Sequence, residues 1–231
     1  MSNLDNTDRY VNARKFQEQL AKKVIIEDNF DIEIEFVCGV DVSYKKNIAQ
    51  CSAVIVKNNS LEAVEVVSSK SDIQSPYIPG LFMLREADPI LLTLKLLKNP
   101  FQLLLIDGHG ILHPRRCGLA CYIGITLDIP TVGVAKSLLC GSVQEDGFVK
   151  YNKEVLGYSI KRDEHLKKVI YVSTGHKVSP STSIEIVSSL TKIGEWIPDH
   201  FELLIFDQKI MILRKTLNFS LTIDDTTKRF L

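Results

Sequence analysis

The sequence predicts an α/β fold: a mixed sheet that opens as an antiparallel meander, continues in parallel strands and is flanked by helices. Three observations carry this. Strand-like runs at Ile32 to Tyr44, Ser52 to Lys57 and Leu61 to Ser68 follow one another across short polar connections. From Leu81 onward, helix-like and strand-like segments alternate, the order that yields parallel pairing. Phe101 to Ile106 and Pro130 to Ala135 are nearly continuous apolar runs, as strands covered on both faces are.

Each element has its own signal. Residues 7 to 23 place Val11, Phe16 and Leu20 at helical spacing among charges, an amphipathic helix. Lys57-Asn-Asn-Ser60 supplies turn chemistry between the second and third strands. Ser75-Pro-Tyr-Ile-Pro-Gly80 is too rich in proline for strand or helix and is expected as a fixed loop. Leu81 to Lys98 reads as a buried helix in which Pro89 is either absorbed near the start or forces a kink after Glu86. Arg116 to Asp128 is expected to be helical, Val143 to Ile160 a hairpin around glycine and Val169 to Thr174 a strand. Ser181 to Ile193 is expected as a helix capped by Ser179, Ser181 or Ser183.

The chain has 231 residues, 45% hydrophobic and 24% charged, with a formal net charge of +0. One domain over residues 1–231 is expected, and any binding of nucleic acid must rely on a local basic patch rather than on overall charge. No apolar run approaches the ~20 residues of a membrane span, and the polar start Met1 to Asp5 has no signal-peptide pattern. The five cysteines are odd in number and mostly in apolar surroundings, which suits reduced thiols and a cytoplasmic location. Cys117 and Cys121 are read as small buried residues, because no second pair completes a zinc set.

The chemistry-bearing residues form a set. Asp41 ends the apolar Phe36 to Val40, and Asp107 ends Leu103 to Ile106. Glu86 lies in the expected helix. Alone, each aspartate reads as a salt-bridged strand residue. Together they make an oxygen-rich group suited to Mg²⁺, with Mn²⁺ able to substitute, acting on phosphate. Lys136 follows an interior strand and would neutralise phosphate charge, or simply snorkel to solvent. Gly108 and Gly110 would let backbone approach a ligand; by default His113, Arg115 and Arg116 are solvated loop residues, and in a functional loop Arg115 or Arg116 would grip phosphate and His113 would bond it or a base. His109 would stand behind the carboxylate as a supporting partner. Tyr77, held stiffly between prolines, reads as a packing contact or as a wedge that stacks on bases. Gly175-His-Lys177, just before the serine-rich helix, offers free backbone N–H groups to a phosphate.

These motifs resemble the endonuclease V family of the ribonuclease H-like superfamily. The resemblance rests on Gly39-Val-Asp-Val-Ser43, Pro76-Tyr-Ile-Pro-Gly80 with Arg85-Glu86, Asp107-Gly-His-Gly-Ile-Leu-His-Pro-Arg115 and Pro130-Thr-Val-Gly-Val-Ala-Lys-Ser137, together with Ser173-Thr-Gly-His-Lys177. They run in order from the N-terminal helix to about residue 198. It implies a ribonuclease H-like sheet and a metal-dependent repair endonuclease that recognises deoxyinosine in DNA. Cleavage would fall at the second phosphodiester bond 3′ to the lesion, leaving 3′-hydroxyl and 5′-phosphate. Asp41, Glu86 and Asp107 would hold the metal and Lys136 would act at the scissile phosphate. Tyr77 would be the wedge, with Pro79, Gly80, Gly108 and Gly110 around an extruded base. Alternatives are an endoribonuclease for inosine in RNA and a binder that does not cut. No obligate protein partner is implied. The tail departs from the family pattern after Trp196-Ile-Pro-Asp199, leaving Asp207 as the candidate for a fourth catalytic group, with Asp199 and His200 as rivals. Residues 208–231 have no assigned role.

Overall fold

The computed structural model describes residues 3–30, 33–163 and 168–191. Asp207, Asp199 and His200 therefore lie outside the described residues. The elements are α1 (Asn3–Ala21), β1 (Phe36–Lys45), β2 (Ile48–Lys57), β3 (Ala63–Asp72), α2 (Met83–Leu94), β4 (Leu103–Asp107), α3 (Leu119–Leu127), β5 (Thr131–Ala135), β6 (Ser142–Val143), β7 (Phe148–Tyr151), β8 (Glu154–Asp163), β9 (Lys168–His176) and α4 (Pro180–Leu190).

All the strands join one nine-stranded sheet in the order β3-β2-β1-β4-β5-β9-β8-β7-β6. The opening meander is antiparallel, and β4 and β5 then pair parallel to β1. Parallel pairing stops there: β9 runs antiparallel to β5, and β8, β7 and β6 extend that edge antiparallel. The physical reason at this edge is in the connections, since β6 to β7 and β7 to β8 are joined by connections too short for any but antiparallel neighbours. One such turn, Asn152-Lys153, has both residues at positive φ, as a two-residue hairpin requires.

The apolar runs explain the layering. In β4, Leu103 and Leu105 pack on one side with Val132, Val172 and the α4 residues Val187 and Leu190. Leu104 and Ile106 pack on the other with Ile90 of α2 and Ile123 of α3. A strand covered on both faces must be apolar at every position, which is what the sequence of β4 reads.

Helix limits moved where caps decided them. α3 begins at Leu119 rather than Arg116, because Arg116 takes a left-handed φ of 57° and Gly118 is the extended N-cap. α2 continues without a break past Pro89 to Leu94, so the proline is absorbed with the loss of one backbone donor. α4 is capped by Ser179, whose Oγ accepts from the N–H of Thr182. The backbone N–H of Ser179 and the hydroxyls of Ser179 and Thr182 all donate to Asp28. The proposed phosphate position at this helix start is thus filled by an internal carboxylate. Among the described residues no helix is long and apolar enough to cross a membrane. Cys38, Cys51, Cys117 and Cys121 are buried free thiols, and Cys140 is half-buried.

Candidate active site

The site forms where the parallel pairing ends. β1 stays in register with β4 only as far as Val40 beside Ile106, so the next residues, Asp41 and Asp107, come side by side at the point where the strands part. Adjacent strands lie about 4.8 Å apart, which brings the two carboxylates into mutual repulsion. Asp107 is also paired with Val134, which sets Lys136 just past the end of β5 and within reach. Its Nζ donates to Asp107 Oδ2 at 2.8 Å. Glu86 comes from the first turn of α2 and is buried. All four side chains line one open cleft of about 800 Å³.

Each carboxylate has a partner of its own. Asp41 Oδ1 accepts from the N–H of Val42 at 2.8 Å, and Glu86 Oε1 accepts from the Tyr44 hydroxyl at 2.7 Å. The Arg85 guanidinium stacks on the Tyr44 ring, 4.1 Å from its centre. Neither Tyr44 nor Arg85 was assigned a role in this site from sequence; an offset of three along one strand sets Tyr44 on the face opposite Asp41, so spacing did not link them. Burial, then the charge of Asp107, pushes Asp41 up to about 7. Burial likewise pushes Glu86 up to about 8, with the charges of Asp107 and Asp41 adding to it against the hydrogen bond from Tyr44.

Among the described residues, no three acidic, histidine or cysteine side chains are close enough to hold a metal as they stand. Asp107 is turned to Lys136 and Glu86 to Tyr44. The donor chemistry nevertheless fits a hard divalent cation: oxygen ligands only, crowded until they resist ionising, with a lysine in place of external positive charge. A cation would relieve that repulsion and free Lys136.

A second cavity, of about 420 Å³, shares Asp107 and Lys136 with the first and is walled by Gly80, Gly108, His109 and His113. Tyr77 stands at it, 61% exposed, with its ring edge-to-face on Phe82 at 5.7 Å. Its loop is held by Ser75, whose carbonyl accepts from Arg85 and whose hydroxyl accepts from Arg9.

Other expected contacts point elsewhere. His113 is buried; its Nδ1 accepts from the N–H of Arg115 at 3.1 Å, which leaves Nε2–H to donate to the Gly80 carbonyl at 3.1 Å. Burial and the Arg115 charge lower its pKa to about 4, so it is neutral. Arg115 donates to the same carbonyl at 2.6 Å and to Gln17 Oε1 at 2.7 Å. Both side chains therefore face inward and brace Gly80, which sits at φ +75°, rather than reaching out to nucleic acid. Gln17, buried on the apolar face of α1 and also donating to the Cys117 carbonyl, went unnoticed in the sequence. A glutamine between Ala13 and Leu20 on that face was the signal. Gly110 also differs: a Cβ there would come within 2.0 Å of the Thr174 carbonyl oxygen, so its bareness serves β9 and not a ligand. His109 bonds the Ser137 carbonyl through Nε2 at 2.9 Å, linking the Asp107 loop to the segment that carries Lys136.

The family model for Endonuclease V matches residues 18–202. Endonuclease V from Thermofilum pendens is 40% identical over 195 residues, covering 83% of this chain and 84% of its own. The crystal structure of endonuclease V from Streptomyces avermitilis superposes with a TM-score of 0.74 at 29% identity, covering 84% of this chain and 88% of that one. The Ciona intestinalis endonuclease V, solved in complex with a 24mer DNA containing an inosine followed by a ribo-adenosine, superposes with a TM-score of 0.72 at 29% identity, covering 83% and 93%. With its paired strand-end acids, its lysine and its aromatic loop all inside the matched region, the chain belongs to the endonuclease V family, metal-dependent nucleases that act on phosphodiester bonds.

Proposed function

We propose that the protein is a repair endonuclease that recognises deoxyinosine, the product of adenine deamination, in DNA and cuts the second phosphodiester bond on its 3′ side. The observation that carries this is that two adjoining cavities share lining residues. Asp107, Lys136 and Phe82 line both the acidic cleft and the smaller cavity behind Tyr77. A base held in one and a phosphate held in the other are then separated along the strand, as cleavage away from the lesion requires. The inosine-containing DNA bound by the Ciona relative supports the same substrate.

Asp41, Asp107 and Glu86 would hold Mg²⁺, with Mn²⁺ able to substitute. The ion would polarise the phosphate and make water nucleophilic near neutral pH. Asp107 would turn from Lys136 to the ion, and the released ammonium would then meet a non-bridging phosphate oxygen and offset charge building in the transition state. Water adds at phosphorus, the 3′ oxygen leaves and takes a proton, and the products carry 3′-hydroxyl and 5′-phosphate. Tyr77 would fill the gap in the stack. Pro79 would stiffen its loop, and the Gly80 backbone, braced by His113 and Arg115, would wall the base together with that of Gly108. Asp207 is the candidate for a further catalytic group. The shared nine-stranded sheet supports one domain, and the free thiols support a cytoplasmic setting.

A labelled duplex with one deoxyinosine, incubated with Mg²⁺ beside the adenine duplex and an inosine-containing RNA, tests this. We expect a single cut on the deoxyinosine strand. Uncut DNA with cut RNA would move the assignment to an endoribonuclease, and binding without any cut would leave a lesion binder.

A further inference from the structure

The acidic cleft does not end at the carboxylates. Its far wall is the outer half of the β1–β2–β3 meander, with Lys45, Lys46, Gln50 and Lys70 on its lining. The register explains why they face together. Ser43 pairs with Gln50, and Gln50 with Lys70, so the three form one row across three strands. Asp41 pairs with Ser52, and Ser52 with Ser68, which makes the adjacent row on the same face. Lys45 continues that face, and Lys46 turns the hairpin at a left-handed φ of 56°. All three lysines are exposed, and among the described residues none of them makes a salt bridge.

We propose that Lys45, Lys46 and Lys70 form the track for the sugar-phosphate backbone of the DNA strand on the 3′ side of the cut. This rests on the functional reading above, which fixes direction: base behind Tyr77, scissile phosphate at the carboxylates, and the rest of the strand beyond them. The floor of three carboxylates repels a polyanion, and the chain has no net charge to draw one in. Cations on the rim of the same cleft supply the missing attraction where the strand leaves. Strand geometry sets the span: Lys45 lies about 13 Å beyond Asp41 along β1, and Lys70 about 12 Å away across two strands. At roughly 3.4 Å of rise per nucleotide, that passes the next three or four phosphates. A hairpin whose outer face were merely solvated would not need its cations at the end nearest the acids.

The test is binding, measured by fluorescence anisotropy without divalent cation so that it does not depend on cutting. Two deoxyinosine duplexes are compared, one ending just past the cut and one running on by about ten nucleotides, a length within reach of ordinary strand-binding sites. Wild type should bind the longer duplex about tenfold tighter or more at low salt. The K45Q/K46Q/K70Q protein should lose that preference, and the slope of log affinity against log salt should fall by about 2–3, near one per lysine. Each single substitution should lose about a third of the slope change, which keeps the test sound if the triple variant is poorly folded. K150Q/K153Q/K161Q, with the same charge change at the opposite edge of the sheet, should behave as wild type. A triple variant that keeps the preference, or a control that loses it equally, overturns the proposal. Failure of wild type to cut deoxyinosine DNA in Mg²⁺ would instead sink the functional reading and leave these affinities interpretable.

Discussion

Asp41 is kept from ionising by the same burial and repulsion that would make it a good cation ligand. Its folded pKa, near 7, lies above that of an unfolded aspartate, and Glu86 is raised in the same direction to about 8. The folded state therefore holds protons that the unfolded state has released, so stability is fully present below about 4, where the unfolded carboxylates also take up protons, and is lost as pH rises from there through about 7 to 8. In EDTA, Asp41→Asn should be more stable than wild type at pH 8 by on the order of 2 kcal/mol, with the gap closing as pH falls towards 4, read by thermal denaturation. A variant no more stable at pH 8 would mean that the two aspartates do not repel. Lys136→Met removes the ammonium from the phosphate and should lower kcat by about a hundredfold or more while shifting KM little, measured in steady-state cleavage. Equal losses in both parameters at a tenth of that size would make Lys136 a mere surface cation. Of these residues, Asp41, Asp107 and Lys136 were legible because each ends an apolar run. Gln17 and Tyr44 were not, since their roles depend on partners 98 and 42 positions away.

At the scale of elements, loop and strand share the work. The Gly80 turn is held from two directions, by His113 and by Arg115 bonded to Gln17 of α1. Arg115→Met should therefore loosen the wall of the smaller cavity and raise KM for deoxyinosine DNA several-fold, with a smaller effect on cleavage once substrate is saturating. An unchanged KM would show that Gly80 does not touch the base. Gly110 belongs to the fold rather than to the ligand. With a Cβ 2.0 Å from the Thr174 oxygen, Gly110→Ala must push backbone from backbone. We expect a loss of about 2–4 kcal/mol and a melting temperature lower by roughly 5–15 °C. Glycine content alone could not separate Gly108, which faces the cavity, from Gly110, because both stand in one loop and only β9 distinguishes them. The opening meander and the covered strands β4 and β5 were readable from periodicity. The antiparallel return of β9 was not, because a lone apolar run carries no direction.

Across the whole molecule, one sheet serves both faces of the chemistry. Its centre, β1 with β4 and β5, is fixed by helices on either side and presents the acids at the ends of rigid strands. Its β1–β2–β3 edge carries the lysine rim, and its loops carry the cavity behind Tyr77. Everything then depends on Asp41, Glu86 and Asp107 turning inward to share a divalent cation. Titrating Mn²⁺ into wild type and into D41N, E86Q and D107N, with bound metal followed by electron paramagnetic resonance, tests that directly. We expect saturable binding in wild type, weakened at least tenfold by each substitution. Undiminished affinity in all three variants would mean that these carboxylates are structural, and that the metal and the cut must be sought elsewhere.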